Sequence, residues 1–247
     1  MNKTEIELQY DICLQNENAI PAIIVSAGAS TRMRGIDKQF LPIFGVPVVA
    51  RTLMTFERCE HISKIIVVTS KQNIQQMQLV CEKYNISKVS DIVEGGCNRH
   101  ESVMNGISRL DNTDEKILIH DGARPFVELH TISEVVDALS AYDAALCACK
   151  INDTVKKVSA DGLVDCTIDR SCLYSAQTPQ GVDVKKYKIA CNNIPNVENL
   201  TDDASVMEAM GYSVKIVMSS SKNIKITTPD DIAVAEALVK GESDICE

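Results

Sequence analysis

The chain lacks most of what would set it apart from an ordinary folded domain. Its first ten residues, MNKTEIELQY, hold no apolar core of the secretory kind, and no apolar run approaches the roughly 20 residues that span a bilayer. It is short of positive charge: 25 Lys and Arg against 34 Asp and Glu leave a net charge of −9. The surface as a whole therefore repels nucleic acid and anionic membranes, and neither is expected as a partner. An anionic ligand would have to be drawn in by a local cluster, for which Arg32, Arg34, Lys38, Arg124, Arg170 and Lys225 are the best-placed residues. Metal-ligand spacing is missing too. No two of the four histidines are spaced as a ligand pair, and the closest cysteines, Cys147 and Cys149, form Cys-x-Cys rather than a metal or redox motif. Cysteine itself is plentiful, at ten residues. With no secretory leader, most of them are expected to be reduced, buried small hydrophobes in a cytoplasmic protein. Repeats, low-complexity tracts and linkers are absent.

What is present is an alternation of strand and helix patterns along 247 residues, 45% hydrophobic and 24% charged. Residues 1–19 are polar and without clean periodicity, and read as an extension. Strands are expected over Ala22–Ser26, Lys64–Ser70, Val89–Val93, Lys116–His120 and Ala144–Lys150. Helices are expected over Val48–Cys59, Asn73–Tyr84, Glu101–Leu110 and His130–Ser140. This order predicts an α/β fold, a mostly parallel sheet flanked by helices on both faces, forming one domain over residues 20–240. Residues 151–177 change character: Asp, Thr, Lys, Val and Ser alternate around Asp161-Gly162, a hairpin signal. A two-stranded ribbon is not stable alone, so it should pack against something, such as another subunit. Thr201–Met210 reads as a helix and Ser213–Val217 as a strand. Thr228-Pro229-Asp230-Asp231 opens the last helix, with Thr at the N-cap, Pro at the first position and acids in the first turn.

Several stretches could carry chemistry. After the apolar run Pro21–Val25 comes a small-residue loop holding Arg32 and Lys38. Small side chains let backbone N–H groups approach phosphate oxygens, and the two cations can neutralise them; the other reading is a polar strand-to-helix turn. The loop is neither a P-loop nor a dinucleotide fingerprint. His120-Asp121-Gly122-Ala123-Arg124-Pro125 follows a strand, where ligands of open α/β sheets bind. Asp121 there either holds Mg²⁺ beside substrate phosphates or makes a structural pair with Arg124 in an Asp-Gly turn. Gly95-Gly96 leads into a helix through Ser102, and is a simple turn or a source of contacts to a base or phosphate. Arg170, with Thr154 and Thr178 in neighbouring stretches, suits a monophosphate. Thr201-Asp202-Asp203 reads first as a helix cap. Lys225, between Ile224 and Ile226 in a predicted strand, points opposite to them, to solvent or into a cleft.

Taken in order, the strings SAGASTRM, DKQFLP, EGGCNRHESV, HDGARPF, NDTVKK, DRSCLYSAQTPQ, TDDAS and NIKITTPDD closely resemble the 2-C-methyl-D-erythritol 4-phosphate cytidylyltransferase family of the non-mevalonate isoprenoid pathway, over about residues 20–240. The resemblance implies a Rossmann-like nucleotidyltransferase fold and a homodimer in which the ribbon at about 151–177 is an arm embracing the neighbour. It implies transfer of a cytidylyl group from CTP to methylerythritol phosphate with Mg²⁺, by in-line attack on the α-phosphorus. By the same resemblance Arg32 and Lys38 stabilise the transition state. Ala27, Gly28, Gly96, Ser102, Asp121, Gly122 and Ala123 contact CTP, with Asp121 near the metal. Thr154, Arg170 (reaching across the dimer), Thr178, Thr201 and Lys225 hold the sugar phosphate, and Arg170 and Lys225 also count among the catalytic set. Ser26, where the family commonly has Ala, and Cys97 are departures that remove no charge. The rival readings are a ribitol 5-phosphate cytidylyltransferase and a non-catalytic nucleotide-binding protein on the same scaffold.

Overall fold

A computed structural model describes residues 18–28 and 37–243; the residues expected to form an N-terminal extension lie outside these up to residue 17, as do Arg32 and Arg34. Seven strands form one sheet: β1 (Ile20–Ser26), β4 (Ile62–Thr69), β5 (Val89–Glu94), β6 (Lys116–Asp121), β7 (Ala144–Lys150), β10 (Tyr174–Asp183) and β11 (Val214–Met218). Their order is β11-β7-β10-β6-β1-β4-β5. All run parallel except β10, which is antiparallel to both β6 and β7. The mostly parallel sheet expected from the alternation is present, and the central strand β1 shows why it forms. Its sequence, IPAIIVS, is apolar on both sides, which a strand covered by helices on both faces requires.

One face packs under α1 (Val48–Arg58), α2 (Ile74–Lys83) and α4 (Leu129–Ala138). There Ile24 and Val67 of the sheet meet Leu53 and Phe56 of α1 and Ile132 and Val135 of α4. The other face packs under α3 (Arg99–Ile107), α5 (Val184–Asn193) and α6 (Asp203–Ala209), where Ile23, Ile66 and Ile119 meet Val103, Tyr187 and Met207. Complete burial of side chains of this size stabilises by about 1.5–3 kcal/mol each. A small hairpin, β2 (Pro42–Ile43) and β3 (Val46–Pro47), leads into α1. The last helix, α7 (Pro229–Ser243), closes a minor core in which Ile226 and Ala235 pack with Ile43, Val48 and Phe126. The carboxylate of Asp231 in its first turn accepts from the N–H groups of Thr227 (2.7 Å) and Thr228 (2.8 Å).

Four expectations change. The ribbon is shorter than 151–177: β8 (Val155–Val158) pairs antiparallel with β9 (Val164–Ile168), turning through Gly162 at φ +78°, where glycine is favoured. Residues 174–177 belong to β10 and the main sheet. The stretch holding Lys225 is not a strand; Ile226 N–H makes a single bond to the Ala123 carbonyl (2.8 Å). The helix expected from Thr201 begins at Asp203, and the cap expected within Thr201-Asp202-Asp203 is Asp202, in a reciprocal capping box with Ser205. The cysteines are not mostly buried: of the eight described, all free, Cys59, Cys81 and Cys147 are buried, whereas Cys97, Cys166 and Cys172 are exposed.

Candidate active site

The carboxyl ends of β1 and β6 open into a cavity of about 450 Å³. β1 contributes Ala27 and Gly28 at its end, and β6 contributes Asp121 and Ala123. A short 3₁₀ turn, Lys38–Phe40, begins at Asp37, whose side chain accepts from Gln39 N–H (3.1 Å), and so sets Lys38 on the wall. Gly96 and Ser102 flank the N-terminus of α3. Asn98 caps that helix through Glu101 N–H (2.8 Å), and Ser102 Oγ accepts from Gly96 N–H (3.1 Å). The extended segment after β11 brings Lys225 to the wall while Ile224 and Ile226 turn into the minor core. Eight of the residues singled out by sequence thus line one space: Ala27, Gly28, Lys38, Gly96, Ser102, Asp121, Ala123 and Lys225.

The charges on that wall decide its character. Lys38, Arg99 and Lys225 share the wall with one carboxylate, Asp121, among its described lining residues. Lys225 Nζ lies 2.9 Å from Asp121 Oδ2, Arg124 Nε 3.3 Å from the same oxygen, and Arg99 Nε 3.7 Å from Oδ1. Both earlier readings of Asp121 therefore bear on it, since the Arg124 pair exists and the carboxylate also faces the cavity. Burial by itself would raise the pKa of Asp121. Lys225, Arg99 and Arg124 outweigh it and hold the carboxyl below the usual carboxylate range. The excess of cations makes this a local anion site on a chain of net negative charge.

Arg99 went unassigned in the sequence reading. Its second anchor, Asp203 Oδ2 at 2.6 Å, lies 104 residues away. Asp203 is itself buried and accepts from Tyr187 Oη (2.9 Å). Only the position of Arg99, directly after a glycine turn and a capping Asn, could have flagged it. Gln39, Asn98 and Thr227 also line the cavity without having been singled out.

Gly122 sits just behind the wall. Its N–H donates to Val25 O (2.9 Å) and its carbonyl accepts from Thr52 Oγ1 (2.9 Å). A Cβ there would lie 2.0 Å from Ser26 Oγ, so any larger residue would force the Ser26 hydroxyl to turn away. Thr178 is buried and does not line the cavity. Thr154, Arg170 and Thr201 are exposed and lie away from the cavity wall; a guanidinium nitrogen of Arg170 donates to the Asn152 carbonyl. Arg32 lies outside the described residues.

Among the described residues no three His, Cys, Asp or Glu side chains gather around a metal position. A divalent cation at Asp121 would draw its other ligands from phosphate oxygens and water, a donor set that suits Mg²⁺ better than a site closed by protein alone.

A mostly parallel α/β sheet with cations and glycine turns at the carboxyl ends of its strands defines a Rossmann-like fold whose cleft suits an anionic ligand. Residues 20–241 match the family model described as 2-C-methyl-D-erythritol 4-phosphate cytidylyltransferase. The chain is 42% identical over 221 residues to the enzyme of that name from Geobacillus kaustophilus, covering 88% of this chain and 96% of that one. It is 40% identical over 225 residues to the one from Clostridium novyi, covering 89% and 96%. Among solved structures, 4-diphosphocytidyl-2C-methyl-D-erythritol synthase from Anaerococcus prevotii superposes with a TM-score of 0.81 at 32% identity, over 92% of this chain and 98% of that one. The chain belongs to the 2-C-methyl-D-erythritol 4-phosphate cytidylyltransferase family.

Proposed function

We propose that this protein transfers the cytidylyl group of CTP to 2-C-methyl-D-erythritol 4-phosphate, giving 4-diphosphocytidyl-2-C-methyl-D-erythritol and pyrophosphate. The observation that carries the reading is the cavity wall, where Lys38, Arg99 and Lys225 converge beside Asp121 at the ends of β1 and β6. A phosphomonoester oxygen is already a nucleophile, so no general base is required. It attacks the α-phosphorus in line, and the bond from that phosphorus to the bridging oxygen breaks as pyrophosphate departs. Lys38, together with Arg32, stabilises charge growing on the α-phosphate and the leaving group. Ala27, Gly28, Gly96, Ser102 and the Asp121–Ala123 turn hold the nucleotide. Lys225 is placed to pass from Asp121 to an incoming phosphate. Mg²⁺ held by Asp121 would neutralise phosphate charge.

Thr154 and Arg170 fit this scheme as groups delivered to a neighbouring copy by the β8–β9 arm, with Thr201 contributing near the sugar phosphate. On this reading the protein works as a homodimer.

The test is pyrophosphate release from CTP and Mg²⁺, with methylerythritol phosphate and ribitol 5-phosphate in parallel. Release with the first alone is expected. Release with ribitol phosphate alone would reassign the acceptor, and silence with both from folded protein that binds CTP would make this a binding module.

A further inference from the structure

Behind the cavity wall lies a buried histidine that the transfer scheme does not use. His120 is completely buried, its ring 4.8 Å from that of Phe56. Nε2 lies 3.2 Å from the Arg124 carbonyl and Nδ1 lies 3.1 Å from Thr178 Oγ1. A carbonyl only accepts, so Nε2 carries the proton. In a neutral ring Nδ1 is then the acceptor, and the Thr178 hydroxyl donates to it. The same hydroxyl accepts from the backbone N–H of Asp121 (3.0 Å). The ring is closed off from water against Phe56, an environment that favours the neutral imidazole.

We infer that His120 is a positioning residue: through Thr178 and the Arg124 carbonyl it clips both ends of the turn that presents Asp121 and Ala123 to the cavity. The inference rests on the proposed cytidylyl transfer and moves Thr178 from the sugar-phosphate set to the support of the nucleotide side. With its proton given to His120 and an oxygen lone pair taken by Asp121 N–H, the hydroxyl is committed to the protein. The clip extends further. Arg124 Nη1 donates to the Asn223 carbonyl (2.8 Å), and Asn223 Nδ2 donates to the Thr178 carbonyl (3.0 Å). The segment carrying Lys225 is thus tied to the same turn.

The test measures CTP affinity with Mg²⁺, without the polyol phosphate, by calorimetry on the full chain. Thr178→Val should weaken binding about tenfold, the equivalent of one lost hydrogen bond, while Thr178→Ser should stay near wild type. A folded Thr178→Val that binds CTP normally, and loses only in KM for the polyol phosphate, would overturn the inference and restore Thr178 as a direct ligand. Imidazole ¹⁵N NMR on the unmodified protein supplies a check that needs no variant. A bare Nδ1 with a protonated Nε2 is expected for His120, and the opposite tautomer would overturn the clip. Failure of the wild type to bind CTP would instead strike the transfer reading, leaving the tautomer to judge the clip.

Discussion

The cavity and the β8–β9 arm use the same kinds of residue in opposite ways. At the cavity wall, Arg99, Arg124 and Lys225 converge on one buried carboxylate, Asp121. In the arm, Lys156 and Lys157 stand in solvent, and Leu163 at the turn is 70% exposed. Arg170, at the root of the arm, bonds to a carbonyl only 18 residues away. A buried carboxylate with three cationic partners from its own chain is fixed in place without a neighbour. A ribbon that exposes Leu163, Val164 and Val158 beside its charges buries too little to be held by itself. The contrast separates a cavity whose described wall comes from one chain from an arm that, on the proposed reading, serves a second copy.

The largest effect should come from the cavity side. Lys38→Ala is expected to lower turnover about 10²–10³-fold, the usual cost of one transition-state donor, with little change in stability. Pyrophosphate release by folded variant at near-normal rate would remove Lys38 from that role.

On the arm, Arg170→Ala should raise KM for the polyol phosphate about tenfold or more, as for a lost charge-assisted contact, and leave CTP affinity unchanged. If the arm acts on its neighbour, mixing this variant with Lys38→Ala creates hybrid pairs with one intact site. Activity should then recover to about a quarter of wild type for freely exchanging dimers. No recovery after exchange is demonstrated would confine Arg170 to its own chain and dissolve the contrast.

How much of this was legible in the sequence follows the same divide. The strand Ala144–Lys150 was read to the residue, and α1 and β6 to within one, because their apolar patterns are set by local burial. β10 and α5 were passed over. Pro179 stands in the middle of β10, and proline normally disqualifies a central strand. It is accommodated because the ladder shifts register between Ala176 and Gln180. Lys225 points opposite to Ile224 and Ile226 as their alternation predicts, although the segment is not a strand; of the two destinations left open, solvent or cleft, it takes the cleft. Short-range pattern supplied the direction, but the partner, Asp121, was a fact of topology. Arg99 and the His120–Thr178 bond were illegible for that reason, being pairs far apart in sequence that only the sheet order brings together.

A smaller effect would test what covers the arm. Leu163→Asp should leave the unfolding free energy of the single chain within about 0.5 kcal/mol of wild type, as for exposed positions generally. The mass in solution should fall from about a pair to a single chain. An unchanged mass would show that the turn of the arm is not part of the contact.

The smallest effect contrasts Asp121 with its solvated counterpart. Asp143 pairs with Lys186 and accepts from Ser213 N–H (2.8 Å) and Oγ (2.7 Å), joining α5 to the start of β11. The bond from Lys186, then those from Ser213, lower its pKa to about 2. A carboxyl depressed in the folded state stabilises above its unfolded value, near pH 4, and that contribution is lost as pH falls through about 2. Solvent screening limits an exposed pair of this kind to about 0.2–1 kcal/mol. Asp143→Asn should therefore lower the urea midpoint slightly at neutral pH, and the gap should narrow steadily below about pH 4. A gap that stays constant on acidification would mean that Asp143 works through neutral hydrogen bonds, and that charge matters to this fold only where it is buried, around Asp121.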